Sequence, residues 1–180
     1  NAEEFEFVLQ YIYGLKYEIK PENALALYQL ASFYQVLLLK QECEKTLEKW
    51  LTLDTICYIY AAAEQNDSQN LAKKVLARMT CMHLPLLLKA PGFLDLPTQA
   101  FTRYIATDTL LGDESYVYEA ARAWVHNHIQ IVDASERESV LSLVRYDLIA
   151  SRDLKIIREQ LTDYPSIIDR IDEALKTEVE

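Results

Sequence analysis

The feature that most restricts the fold is a shortage of glycine, with only three, Gly14, Gly92 and Gly112, among 180 residues. Glycine adopts positive φ without strain, so tight hairpins, β-bulges and phosphate-binding loops depend on it. Neither GxGxxG nor GxxxxGK occurs in the sequence, and three scattered glycines could not supply them. The shortage therefore argues against sheet-rich folds and against nucleotide-binding loops.

Hydrophobic periodicity predicts helices along almost the whole chain. Between residues 114 and 129 apolar side chains recur at intervals of three and four, and Asp113 stands where an N-cap is expected. Pro21 and Pro165 suit the first turn of a helix, while Ser135 followed by Glu138 has the form of a capping box. The pattern predicts about ten helices joined by short connections.

One short strand is the exception to the helical pattern. The segment Leu15 to Ile19 alternates apolar and polar residues directly after Gly14. An isolated strand cannot satisfy its own backbone, so this one would need a partner strand. We therefore expect an all-α fold of stacked helical hairpins with at most this one strand.

Charge and cysteine content indicate the class of partner and the compartment. The chain has 18 basic and 28 acidic residues and a net charge of −10, which would repel nucleic acids and anionic membranes, so we expect neither as a partner. Its longest apolar runs, such as residues 84–88, are too short to span a bilayer. Cys43, Cys57 and Cys81 lie far apart among apolar or helical neighbours. They predict reduced, buried thiols and a cytoplasmic location, with the nucleus as the alternative.

No arrangement of residues in the sequence points to catalysis. His126 and His128 are two positions apart, which places them on different sides of a helix, and neither HExxH nor CxxC accompanies them. Adjacent carboxylates such as Asp113 and Glu114 stand at a predicted helix start, where the helix dipole and solubility account for them. We expect no catalytic residue, no metal site and no cofactor, and hence no enzyme.

Several motifs, in the correct order, resemble those of a known family. The segments 4–14, 21–24, 30–36 and 43–44 resemble the C-terminal half of a BTB/POZ domain. The remainder of the chain is similar to a BACK domain, the helical module that succeeds BTB in kelch-like proteins. This second likeness is carried by Leu71 and by residues 93–96, 108–111, 119–120, 124–125 and 144–149.

The resemblance implies a domain organisation. Residues 1–51 would be the C-terminal part of a BTB/POZ domain, and residues 52–180 a BACK domain that begins with a 3-box-like helix pair over 52–83. In the family, the N-terminal half of the BTB domain carries the dimerisation segment and most of the sheet. Homodimerisation is therefore expected through sequence outside this chain, where the substrate-binding module is also expected.

The resemblance also implies a function, that of an adaptor. Family members bridge the N-terminal domain of cullin-3 to a protein substrate, here unknown, and direct ubiquitin transfer without performing chemistry themselves. The family's contacts, transferred residue by residue, give the cullin-interface candidates Tyr34, Gln35, Val36, Leu37, Tyr58, Ile59 and Ala62. Their apolar or aromatic character suits a helix-in-groove contact. For Val36 and Ile59, burial in the core is the competing interpretation.

Three alternatives stay open at this point. The first is a BTB–BACK scaffold that assembles a complex without recruiting a cullin. The second is an unrelated helical-repeat scaffold, which the absence of a strand at Leu15 to Ile19 would favour. The third and least supported is an enzyme, because no catalytic arrangement is visible.

Overall fold

The computed structural model describes residues 2–15 and 18–177. Within these ranges the chain forms eleven α-helices and one 3₁₀ turn, with no strand and one isolated bridge between His83 and Leu111. The all-α prediction is confirmed. The helices are α1 (Ala2–Ile12), α2 (Pro21–Phe33), α3 (Leu37–Lys49), α4 (Ile56–Gln65), α5 (Gln69–Thr80), α6 (Leu84–Leu87), α7 (Thr98–Ile105), α8 (Glu114–Asn127), α9 (Ala134–Ser142), α10 (Ser151–Gln160) and α11 (Pro165–Thr177), and the 3₁₀ turn spans Tyr146–Leu148.

The predicted strand is not seen where the structure describes it. Leu15, Glu18 and Ile19 lie outside any helix or strand, while Lys16 and Tyr17 fall outside the described residues. The helical prediction for the neighbouring segments is correct, since α2 begins at Pro21 as the proline signal indicates.

The chain packs as two compact units. The first contains the described residues up to Met79 together with the segment Ala90–Leu96. In it α2 packs against α1, α3 and α4. Two polar contacts join α3 to α5 and to the residue that precedes it. The Ser68 hydroxyl donates to the Glu44 carboxylate, and Lys74 Nζ lies 2.6 Å from Glu48 Oε1. Its core includes Ala24, Leu27, Tyr28, Ala31, Leu39, Cys43, Leu47, Ile56, Cys57, Tyr60, Leu71, Val75, Phe93 and Leu96.

The second unit contains Thr80–Lys89 and the described residues from Pro97 onward. Here α8 packs against α6 and α9, and α11 packs against α9, α10 and the 3₁₀ turn. Trp124 of α8 is fully buried, and its ring stacks on Phe101 at 5.0 Å and on His128 at 4.1 Å between centroids. His128 is therefore part of the packing of this unit.

The packing boundary differs from the predicted domain boundary after residue 51. Helices α4 and α5 belong to the same compact unit as α1–α3, although the predicted BACK domain begins before α4. A compact unit is defined by packing and a family domain by sequence likeness, so the two boundaries need not coincide. The division at residue 51 stays a prediction.

Two local predictions need correction. The N-cap of α9 is Asp133, whose carboxylate accepts the Glu136 N–H at 2.8 Å, so the capping box proposed at Ser135 is wrong. Ser135 instead lies within the first helical turn. Among the thiols, Cys43 and Cys57 are buried as predicted, whereas Cys81, which directly follows the last residue of α5, is exposed.

Candidate protein-binding surface

The connection between α2 and α3 is a sharp corner with a defined backbone geometry. The Gln35 N–H donates to the Ser32 carbonyl at 3.2 Å, and the Val36 N–H donates to the Ala31 carbonyl at 2.8 Å. Together with Gln35 at φ +57°, these two bonds form a Schellman motif, which closes the end of a helix. As a result, only residues 34–36 separate α2 from α3.

This geometry turns large apolar side chains toward solvent. Phe33 is 78% exposed, Leu37 68% and Leu38 67%, and Tyr34 is also exposed. No charged residue occurs between positions 33 and 38. We refer to Phe33, Tyr34, Gln35, Leu37 and Leu38 as the corner surface. Several large exposed apolar side chains close together in the chain are typical of a protein-interaction site.

The corner surface is continuous with α1 through aromatic contacts. The Tyr34 ring lies 5.5 Å from that of Phe5 and 5.0 Å from that of Phe33, centroid to centroid. Phe5 is itself partly exposed. Beside the corner surface is a groove of about 350 Å³, lined by Glu4, Ala26, Gln29, Leu30 and Phe33. The candidate surface thus extends to residues of α1 that were not among the cullin-interface candidates.

The candidate residues on α4 have different environments. Tyr58 is 47% exposed, whereas Ile59 and Ala62 are only 1% and 2% exposed. The side chains of Ile59 and Ala62 therefore belong to the core, and in this conformation they cannot reach a partner. Val36, at the corner, is half-buried. Of the predicted set, Tyr34, Gln35, Leu37 and Tyr58 are freely accessible, and their contact with a partner stays a prediction.

Tyr58 packs against the segment Ala90–Leu96. Gly92 of this segment has φ +76°, and a Cβ atom placed on it would lie 2.7 Å from Cε1 of Tyr58. A glycine is therefore required here both by the backbone conformation and by the nearby ring. The segment is anchored by its own buried side chains, Phe93 and Leu96.

Metal-binding and membrane-spanning features are absent from the part of the chain that the structure describes. There, no cluster of three or more His, Cys, Asp or Glu side chains has an arrangement that could hold a metal ion. Over the same residues, no helix combines the length and apolar character needed to cross a membrane.

Family models match most of the chain. The BACK model, described as BTB And C-terminal Kelch, matches residues 56–159, which is more than half of the sequence, and the BTB/POZ domain model matches residues 1–51. The chain belongs to the BTB–BACK family. The family resemblance drawn from the motifs is thereby confirmed, and an unrelated helical-repeat scaffold is excluded. The absence of strand structure at the described residues Leu15, Glu18 and Ile19 does not change this conclusion, because the match to the BACK model lies wholly outside residues 15–19.

Individual relatives of this BTB–BACK chain are kelch-like proteins. Human Kelch-like protein 24 is 29% identical over 136 residues, covering 72% of this chain and 22% of that protein. Zebrafish Kelch-like protein 24a is 26% identical over 131 residues, with the same coverage of 72% and 22%. Rat Kelch-like protein 38 is 26% identical over 125 residues, covering 69% of this chain and 21% of that protein. The chain thus spans about a fifth of the length of the curated relatives it matches.

Proposed function

We propose that this BTB–BACK chain is the cullin-binding segment of a substrate adaptor in a cullin-3 RING ubiquitin ligase. The observation that carries the proposal is the corner surface, where large apolar side chains stand exposed with no charge among them. The family resemblance assigns cullin contacts to the closing BTB helices and the first BACK helices. The corner surface lies on the first of these two regions and Tyr58 lies on the second.

Binding at this surface would be driven by removal of apolar area from water. Burying an exposed side chain of the size of Phe33 or Leu37 contributes about 2 kcal/mol. In most interfaces a few such side chains carry most of the affinity, and aromatic residues are prominent among them. Phe33, Tyr34 and Leu37 are thus the expected centre of the contact, and Gln35 would hydrogen-bond at its edge.

The adaptor role requires no chemistry from the chain itself. The cullin would be held by the first compact unit, while a protein substrate, still unknown, would be held by a module elsewhere in the longer protein. We extend the proposal to a BTB/POZ part over residues 1–51 and a BACK part over residues 52–180, to homodimerisation through BTB sequence outside this chain, and to a cytoplasmic or nuclear location.

Calorimetry with the cullin-3 N-terminal domain tests the proposal directly. The full-length protein should bind, and Phe33→Ala or Leu37→Ala should each weaken binding about tenfold or more. Leu148→Ala is a matched control, because Leu148 is 61% exposed in the second unit and outside the proposed surface. Absence of binding at tens of micromolar, or equal losses in the control, would contradict the proposal.

The alternative function, a BTB–BACK scaffold that does not recruit a cullin, predicts a different effect of substitutions at this surface. It predicts that a charged substitution at Leu37 or Tyr58 leaves cellular ubiquitination unchanged while another protein partner is lost. Quantitative affinity purification of the wild-type and variant proteins, with ubiquitination measured in the same cells, separates the two functions.

A further inference from the structure

Tyr58 has an unusual position for an exposed aromatic residue. Its helix, α4, is largely buried, since six of its ten residues are in the core. The Tyr58 side chain nevertheless remains 47% exposed, and one edge of its ring lies against the backbone of Gly92. The ring is therefore supported from one side and open to solvent on the other.

The support comes from a turn that is fixed in place. Gly92 follows the exposed Pro91 and precedes Phe93, whose side chain is fully buried. The backbone of this turn cannot move away easily, because Phe93 and Leu96 anchor it in the core of the first unit. A clash with the turn would be relieved by movement of the exposed ring.

The space for the ring exists only because position 92 lacks a side chain. A Cβ there would lie 2.7 Å from Cε1 of Tyr58 and 3.1 Å from both Cδ1 and Cζ. Distances below 3.0 Å are not tolerated between a Cβ and a ring carbon, so one of the two groups must shift. We propose that Gly92 is a positioning residue, whose missing side chain sets the orientation in which Tyr58 meets a partner.

The importance of this orientation for cullin binding rests on the function proposed above, whereas the positioning itself does not. Two separate measurements therefore test the positioning of Tyr58 and its importance for cullin binding independently. One follows the Tyr58 ring in the protein alone, and the other follows binding to the cullin-3 N-terminal domain.

The first measurement is fluorine NMR of the protein labelled with fluorotyrosine. The chain has 12 tyrosines, so the Tyr58 signal is identified by its loss in Tyr58→Phe. Gly92→Ala should shift this signal. Gly14→Ala is the matched control, because Gly14 has φ +68° but no atom within 4 Å of its added Cβ. The Gly14→Ala variant introduces similar backbone strain in the same unit, but its added Cβ does not clash with any neighbouring atom.

A second variant at position 92 controls for the possibility that Gly92→Ala fails to fold. Gly92→Asn also places a Cβ against the ring, but asparagine tolerates positive φ better than alanine does. It should therefore shift the Tyr58 signal with a smaller loss of thermal stability. If neither variant at position 92 shifts this signal more than Gly14→Ala does, the positioning role is overturned, whatever the cullin data show.

The second measurement is a double-mutant cycle of cullin affinity. Gly92→Ala should weaken binding about tenfold in the wild-type background and have little effect in the Tyr58→Ala background, because the ring it displaces is then absent. Equal losses in both backgrounds, or an equal loss for Gly14→Ala, would overturn the inference. If the wild-type protein does not bind the cullin domain, the proposed function fails, and the fluorine signals alone decide the positioning role.

Discussion

Glu114 and Arg145 lie 31 positions apart and are joined by three hydrogen bonds, all accepted by the Glu114 carboxylate. Oε1 accepts the Arg145 backbone N–H at 2.8 Å, and Oε2 accepts Nε at 3.1 Å and Nη2 at 2.8 Å. Glu114 is only 6% exposed. The same carboxylate raises the pKa of the Arg145 guanidinium through hydrogen bonding. The pair ties the start of α8 to the loop that follows α9.

Removal of the Glu114 carboxylate should lower the stability of the folded protein. Glu114→Ala leaves a backbone N–H and part of a guanidinium without their acceptor, and we expect the free energy of unfolding to fall by about 3 kcal/mol. Urea denaturation measures this change. Asp108→Ala is the control, since Asp108 contacts the same guanidinium at 3.4 Å but is exposed. It should cost less than about 0.5 kcal/mol. Similar costs for the two variants would contradict the role assigned to burial.

The cap of α9 gives a second prediction. Asp133→Ala removes the acceptor of the Glu136 N–H and should lower the free energy of unfolding by about 1 kcal/mol. Ser135→Ala should change it by less than about 0.5 kcal/mol, because Ser135 is exposed within the first turn, where alanine is a good helix former. Thermal denaturation of the two variants in parallel compares them. A larger loss for Ser135→Ala would restore the capping box that the sequence suggested.

The three thiols should differ in reactivity. Burial raises the pKa of both Cys43 and Cys57 from an ordinary value of 9.0 to about 12, so neither forms the reactive thiolate near neutral pH. Cys81 is exposed. We expect a thiol reagent at pH 8 to modify Cys81 alone in the native protein, and all three cysteines after unfolding. Mass spectrometry of the labelled peptides identifies the sites.

The same thiols predict a dependence of stability on alkaline pH. Because folding raises their pKa, the unfolded state loses these protons first as the pH rises. Their contribution to stability is therefore complete below about pH 9 and is lost between about pH 9 and 12. Replacement of either Cys43 or Cys57 by alanine should make the loss between these values smaller, because each removes one of the two thiols whose pKa is raised on folding. Rapid labelling of Cys57 in the native state at pH 8 would show that its burial is incomplete, and this result would contradict both predictions made for the buried thiols.

The sequence predicted the fold class and several helix starts, such as those at Pro21 and Pro165, because these signals are local. It did not predict the pairing of Glu114 with Arg145. Such a pair depends on which loop packs against which helix, and the two residues are too far apart for any periodicity to connect them. The Asp113–Glu114 pair was explained by the helix dipole, whereas the structure shows that Glu114 is buried.

The candidate surface was only partly predictable for a related reason. Residues 56–63 of α4 are all apolar or aromatic, so periodicity does not indicate which face is buried. Adjacent positions on a helix point about 100° apart, which is enough to place Tyr58 in solvent and Ile59 in the core. At the corner surface the apolar residues were visible in the sequence, but their exposure depends on the positive φ of Gln35.

The contrast between exposed and buried candidates yields the final prediction. Leu37→Glu should leave the free energy of unfolding within about 0.5 kcal/mol of wild type, because Leu37 is exposed and begins α3, where a negative charge is favourable. It should nevertheless weaken binding to the cullin-3 N-terminal domain by at least about tenfold, since a charge would enter an apolar contact.

Ile59→Ala should behave in the opposite way. It should lower the free energy of unfolding by about 3 kcal/mol and, at temperatures where the variant is folded, should change cullin affinity little. Denaturant titration and calorimetry on the same preparations measure both quantities. If Leu37→Glu were as destabilising as Ile59→Ala, the corner would be part of a packed core, and the surface on which the proposed function rests would not exist.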